Sequence, residues 1–152
     1  MMRLATPGFS DAAQFLDDAT QDERQRLQQS DALWVLEVVH DELGTVWEEC
    51  RIPDWDGFGA VPVTQDVLRS TYCILQSLPL EFPAPSIGAE PDGSLTLEWH
   101  RSPRRTLSVS VSPDSYLYYA ALIGASREHG AMPHFDELPE AIYEFVRRVY
   151  AA

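Results

Sequence analysis

Between Thr20 and Cys50 the apolar residues Leu27, Trp34, Leu36, Val39, Leu43, Val46 and Trp47 recur mostly at three- and four-residue steps. That is the period of a helix with one buried face. Thr20-Gln-Asp-Glu23 has the spacing of a capping box, in which each side chain satisfies the other residue's free amide. Gly44 is a point at which this stretch divides into two helices, and a shorter helical piece near Asp11 to Ala19 turns Phe15 and Leu16 inward. Pro62 and Thr64 then read as the entry to a helix ending near Leu78-Pro79, with Val67, Leu68, Tyr72, Leu75 and Leu78 on its buried side.

After a connector from Pro79 to Pro85 that holds three prolines, the period changes from that of a helix to that of a strand. Leu95, Leu97 and Trp99 alternate with Thr96, Glu98 and His100, and Leu107, Val109 and Val111 alternate with Thr and Ser up to Ser112. Ser115 to Ile123 continues the series with apolar residues on both faces, and Ser86 to Glu90 offers a further short strand. Turn formers separate these runs: Pro91-Asp92-Gly93, Ser102-Pro103-Arg104-Arg105 and Pro113-Asp114-Ser115. The chain closes with Leu138-Pro139-Glu140 opening a helix whose stripe is Ile142, Phe145, Val146 and Val149.

The expected fold is therefore α+β: an antiparallel β-meander of three to four strands, with N-terminal helices and a C-terminal helix packed on its apolar face. One domain spans residues 1–152, with 1–19 loosely held, 20–80 helical, 81–125 sheet and 137–151 the last helix.

Charge narrows the function classes. The net charge is −13, with residues 1–60 at −9 and residues 61–152 at −4, so the N-terminal part is the acidic end. Phosphate contacts need a basic face, which argues against direct nucleic-acid binding. An acidic face suits a basic protein partner, and the long helix offers a surface for a homodimer. No signal peptide or membrane span is legible, and Cys50 and Cys73 sit unpaired in helical stretches, which together point to the cytoplasm. The chain has no Lys and no Asn, as expected of a GC-rich bacterial genome.

The densest stretch is Arg51 to Thr64, where Asp54, Trp55, Asp56, Gly57, Phe58 and Gly59 break two helical segments. Its aromatics mark a built loop with docking roles, and Asp54, Trp55, Asp56 and Phe58 are candidate partner-binding residues. Glu98, Trp99 and His100 on the first long strand join them as candidates. Asp54, Asp56, Glu98 and His100 are also the residues an enzyme or ligand-binding site would use, were they to meet between the loop and the polar sheet face. No metal set is legible, because Glu98, His100, His129 and His134 lack ligand spacing. No catalytic nucleophile, phosphate loop or cofactor motif is legible either.

The order Trp55-Asp56-Gly57-Phe58-Gly59-Ala60, Pro62 before a helix, Pro91-Asp92-Gly93, Leu97-Glu98-Trp99 and Leu107-Ser108-Val109 resembles a set of short uncharacterised bacterial proteins. The resemblance covers about Pro53 to Ile123 and implies the same fold order without an activity. The expectation is a non-enzymatic acidic interaction module, resembling an antitoxin, an immunity protein or a small secretion chaperone in its manner of working.

Overall fold

The period-two alternation after Pro85 builds the sheet on which the rest of the fold is laid. A computed structural model describes residues 38–151, all within one compact unit. The piece expected at Asp11 to Ala19, and the long helix before residue 38, lie outside the described residues. Helix α1 (38–50) is followed by α2 (Gln65–Ser77) and then by five strands: β1 (Ser86–Ala89), β2 (Leu95–Ser102), β3 (Arg105–Val111), β4 (Tyr116–Ile123) and β5 (Ser126–Pro133). Helix α3 (Glu140–Tyr150) ends the described chain. Every strand pairs antiparallel with its sequence neighbour, in the order β1-β2-β3-β4-β5.

Register assembles the core. Leu95, Val111, Leu117 and Met132 form one cross-strand row, Leu97, Val109, Tyr119 and Gly130 the next, and Trp99, Leu107 and Ala121 a third. The leucines, the three valine and tryptophan positions of β2 and β3, and Ala121 are buried against Val67, Ile74 and Leu75 of α2 and Ile142, Phe145, Val146 and Val149 of α3. Burying each large side chain is worth about 1.5–3 kcal/mol, so these rows are the main reason the helices stay on this face. Tyr119 lies across Gly130 and against Phe145, with ring centroids 5.2 Å apart.

The helix ends are satisfied locally. Thr64 caps α2 by accepting from Val67 N at 3.3 Å. The arginines of the β2–β3 hairpin close the other end of α3. Arg101 Nη1 donates to the carbonyls of Tyr150 and Ala151 at 2.8 and 2.9 Å, and Arg105 Nη1 donates to Arg148 and Ala151 at 3.2 and 2.6 Å. Positive charge at a helix C-terminus also meets the negative end of its dipole.

The sheet has one strand more than the three to four expected. β5 carries Ser-Arg-Glu-His-Gly-Ala-Met-Pro, without apolar alternation, because as an edge strand it is largely exposed. β4 was expected to have apolar cover on both sides, yet Tyr116, Tyr118 and Ala120 are exposed and only the face of Leu117 and Ala121 is buried. On α2, Thr71 and Ile74 take the inner position, while Tyr72 is 43% exposed. Helix α1 runs through Gly44 without a break, and α3 starts at Glu140 because Pro139 stands at its N-cap in an extended conformation. At the sheet's other edge, Glu42 of α1 accepts from Ile87 N at 3.0 Å, so a carboxylate occupies an outward amide of β1. No helix among the described residues is long and apolar enough to cross a membrane.

Candidate partner-binding surface

The loop between α1 and α2 is shaped by its own carboxylates. Asp54 Oδ1 accepts from Gly59 N at 2.5 Å, and Asp56 Oδ1 accepts from both Phe58 N at 2.8 Å and Ala60 N at 3.1 Å. Asp54 N and O add backbone bonds to Ala60 and Gly57. The turn needs left-handed backbone at Asp54, Gly57 and Gly59, with φ of 59°, 78° and 83°. Glycine adopts that region at little cost, and Asp tolerates it better than most residues. Trp55 is half-buried against the core and donates Nε1–H to Val61 O at 3.1 Å. Phe58, by contrast, is 92% exposed at the tip.

The loop's position is fixed from both sides. Val63 N donates to Cys50 O at the end of α1, and Val61 N donates to Pro91 O in the β1–β2 turn. A Cβ at Gly93 would stand 3.4 Å from Val61 Cγ1 and 3.5 Å from Pro113 Cγ, which brings in the β3–β4 turn as well. In that turn Asp114 Oδ1 accepts from Tyr116 N at 3.0 Å and Oδ2 from the Tyr118 hydroxyl at 2.6 Å. The Tyr118 hydrogen bond holds the Asp114 carboxyl below its ordinary range, and the same bond raises the Tyr118 phenol. His134 N then donates to Ser115 O at 3.3 Å where the chain leaves β5, and the next residue, Phe135, is 88% exposed.

One end of the sheet thus gathers Phe58, Tyr116, Tyr118 and Phe135, all exposed, with the carboxylates of Asp54, Asp56, Glu90, Asp92, Asp114, Asp136 and Glu137 in the same turns. Arg51 belongs to this end and pairs with Glu48 at 3.5 Å. Arg101, Arg104 and Arg105 lie around the β2–β3 turn, at the opposite end. Glu90 is held by Thr96 and Ser110, whose hydroxyls donate to its Oε2 at 2.7 and 2.5 Å.

Asp54, Trp55, Asp56 and Phe58 share this surface, the carboxylates as its scaffold and Phe58 as its projecting side chain. Glu98 and His100 stand exposed on the open sheet face, opposite Ser108 and Thr106. His100 is five residues up β2 from Leu95, roughly 17 Å along the strand from that end. The four polar residues do not converge into one pocket. Trp99 points the other way: it is fully buried and donates Nε1–H to Pro83 O at 2.8 Å, so it is a core residue and offers nothing to a partner. His129 is exposed on β5 while His134 is buried, and no group of His, Cys, Asp and Glu among the described residues is arranged to hold a metal ion. Cys50 is buried, and burial pushes its thiol up, away from the thiolate a nucleophile needs.

Phe135 and Glu137 escaped the sequence reading. The signal was the one that marked Phe58, an aromatic set among turn formers, in His134-Phe135-Asp136-Glu137. No family model, no curated protein and no solved structure matches the chain.

Proposed function

We propose that this is a non-enzymatic interaction module that holds a basic protein partner against the acidic, aromatic end of its sheet, in the manner of an antitoxin, an immunity protein or a small secretion chaperone. The observation that carries the reading is Phe58: a large apolar side chain 92% exposed on a loop whose backbone is fixed by two carboxylates. A flexible loop would lose entropy on docking, whereas this one is ordered beforehand, so more of the contact energy goes into affinity. Aromatic anchors of this kind dominate protein interfaces, and surrounding carboxylates steer and select a cationic surface. A cytoplasmic setting accords with two free cysteines.

The test is capture of partners from the native host at low and high salt, with the wild-type chain and Phe58→Ala. A basic protein retained at low salt, released at high salt and lost by roughly thirtyfold in affinity with Phe58→Ala is the expected result. A chain recovered alone at every salt concentration refutes the proposal.

A further inference from the structure

Helices α1 and α2 run antiparallel, with Val63 N just before α2 bonded to Cys50 O at the end of α1, and Gln76 of α2 reaching back to His40 of α1. Between them lies a groove of about 470 Å³ whose walls include His40, Gly44 and Trp47 from α1 and Leu68, Arg69 and Tyr72 from α2. We infer that this groove binds a planar aromatic carboxylate, at a site that shares no residue with the partner-binding surface and does not rest on the proposed function.

Gly44 is the observation that points to an occupant. It stands inside an unbroken helix, where only proline is less favourable. Its backbone is not left-handed and, apart from its own helix, no described atom lies within 4 Å of the Cβ it lacks, so neither conformation nor packing among the described residues calls for a glycine. His40 and Trp47 flank it on the same stripe of α1, two turns and roughly 10 Å apart. The missing side chain leaves a slot between two aromatic walls, of a length that takes a flat ring system.

One wall is set in advance. The His40 and Tyr72 rings lie 4.8 Å apart, and Gln76 Nε2 bridges them, donating to the Tyr72 hydroxyl at 2.8 Å and standing 3.4 Å from His40 Nε2. Tyr72 is exposed and Trp47 only partly buried, so both present ring surface on which an apolar ring stacks.

The charge of the ligand follows from what lines the groove. The protein is strongly acidic, yet no carboxylate is among the described lining residues, and the permanently charged one is Arg69. Arg69 Nη2 meets Asp66 at 3.1 Å in an exposed pair of the kind that is worth little, and its Nε and Nη1 make no bond among the described residues. The Tyr72 hydroxyl, one turn along α2, accepts from Gln76 and keeps its own proton to donate. A guanidinium edge and a phenol hydroxyl one turn apart suit a carboxylate carried by the ring. A mostly apolar pocket of this size with a few polar groups is the usual form of a small-ligand site.

The probe is 2-naphthoate, titrated into the whole chain and followed by NMR at the Trp47 indole and the Tyr72 ring. Saturable shifts are expected, weakened about fivefold with neutral 2-naphthamide or in Arg69→Gln, absent with acetate, and lost in Gly44→Leu, whose Tm should not fall because leucine favours the helix. No saturable shift, equal binding of the naphthamide or of acetate, unchanged binding by Arg69→Gln, or unchanged binding by a folded Gly44→Leu each overturns the inference. If Gly44→Leu does not fold, the Arg69→Gln and naphthamide titrations decide.

Discussion

Replacing Asp56 with Ala separates a scaffolding carboxylate from a reactive one. The substitution removes the acceptor shared by Phe58 N and Ala60 N. Phe58 is exposed, so water takes over its amide at little cost. Ala60 is 4% exposed, and its amide is left without a partner in a place water reaches poorly. An unsatisfied buried donor costs about 1–3 kcal/mol, and with the charge-assisted bond to Phe58 discounted for exposure the expected loss is about 2 kcal/mol. For a chain of this size that corresponds to roughly a 6–8 °C fall in Tm. Asp56→Asn keeps Oδ1 as an acceptor and is expected to lose less than half as much. Urea denaturation of the three proteins, with unchanged slopes, reads both numbers. Equal losses in Asn and Ala variants would show that the charge matters and the acceptor does not, and a loss below about 0.5 kcal/mol in Asp56→Ala would show that the loop does not depend on this carboxylate.

Gly130→Ala is expected to cost about 1–2 kcal/mol, because the new Cβ would stand 2.9 Å from the Tyr119 hydroxyl oxygen and 3.0 Å from Cε1; a double-mutant cycle with Tyr119→Ala should recover part of it, and strict additivity would count against the packing account. The Asp114–Tyr118 bond gives a pH window with a definite sign. Asp114 is lowered, so its contribution holds above the ordinary carboxylate value and is lost as pH falls through the folded value; Tyr118 is raised, so its contribution holds below the ordinary phenol value and is lost as pH rises through the folded one. The stability gap between wild type and Tyr118→Phe should therefore be level from about pH 4 to about pH 10 and close at both ends, as denaturation across pH would reveal. Native Cys50 should label with a disulfide reagent far more slowly than the same thiol in urea, since it is buried and its pKa raised; equal rates would place it at the surface.

The sheet was legible where alternation reports one buried face. Leu95, Leu97, Trp99, Leu107, Val109 and Val111 are all fully buried, as their period required. β5 was not legible, because an edge strand has little to bury and its Arg127, Glu128 and His129 read as loop. Tyr72 and Thr71 exchange expected places because one helical step decides which of two neighbours faces the core, and a tyrosine's apolar ring looks inward-facing in sequence. At the site, Asp54, Trp55, Asp56 and Phe58 were found together because their chemistry is local. Which carboxylate bonds which amide was out of reach, since that depends on left-handed backbone at Asp54 as well as at the glycines. Trp99 was rightly set on the apolar face by its alternation with Glu98 and His100, and its full burial agrees with that face and not with its place among the candidate partner-binding residues.

Carboxylates crowd the turns at one end of the strands, while Arg101, Arg104 and Arg105 stand at the other, where Arg101 and Arg105 seal the last helix. Among the described residues this separation of charge makes an electric dipole along the strand axis. If the partner is the cationic protein proposed above, that dipole would add a torque to the attraction and favour approach with the Phe58 end forward. The torque is screened beyond about 8 Å at physiological ionic strength. Encounters would then be mis-oriented more often in salt, even where the final contacts are unchanged.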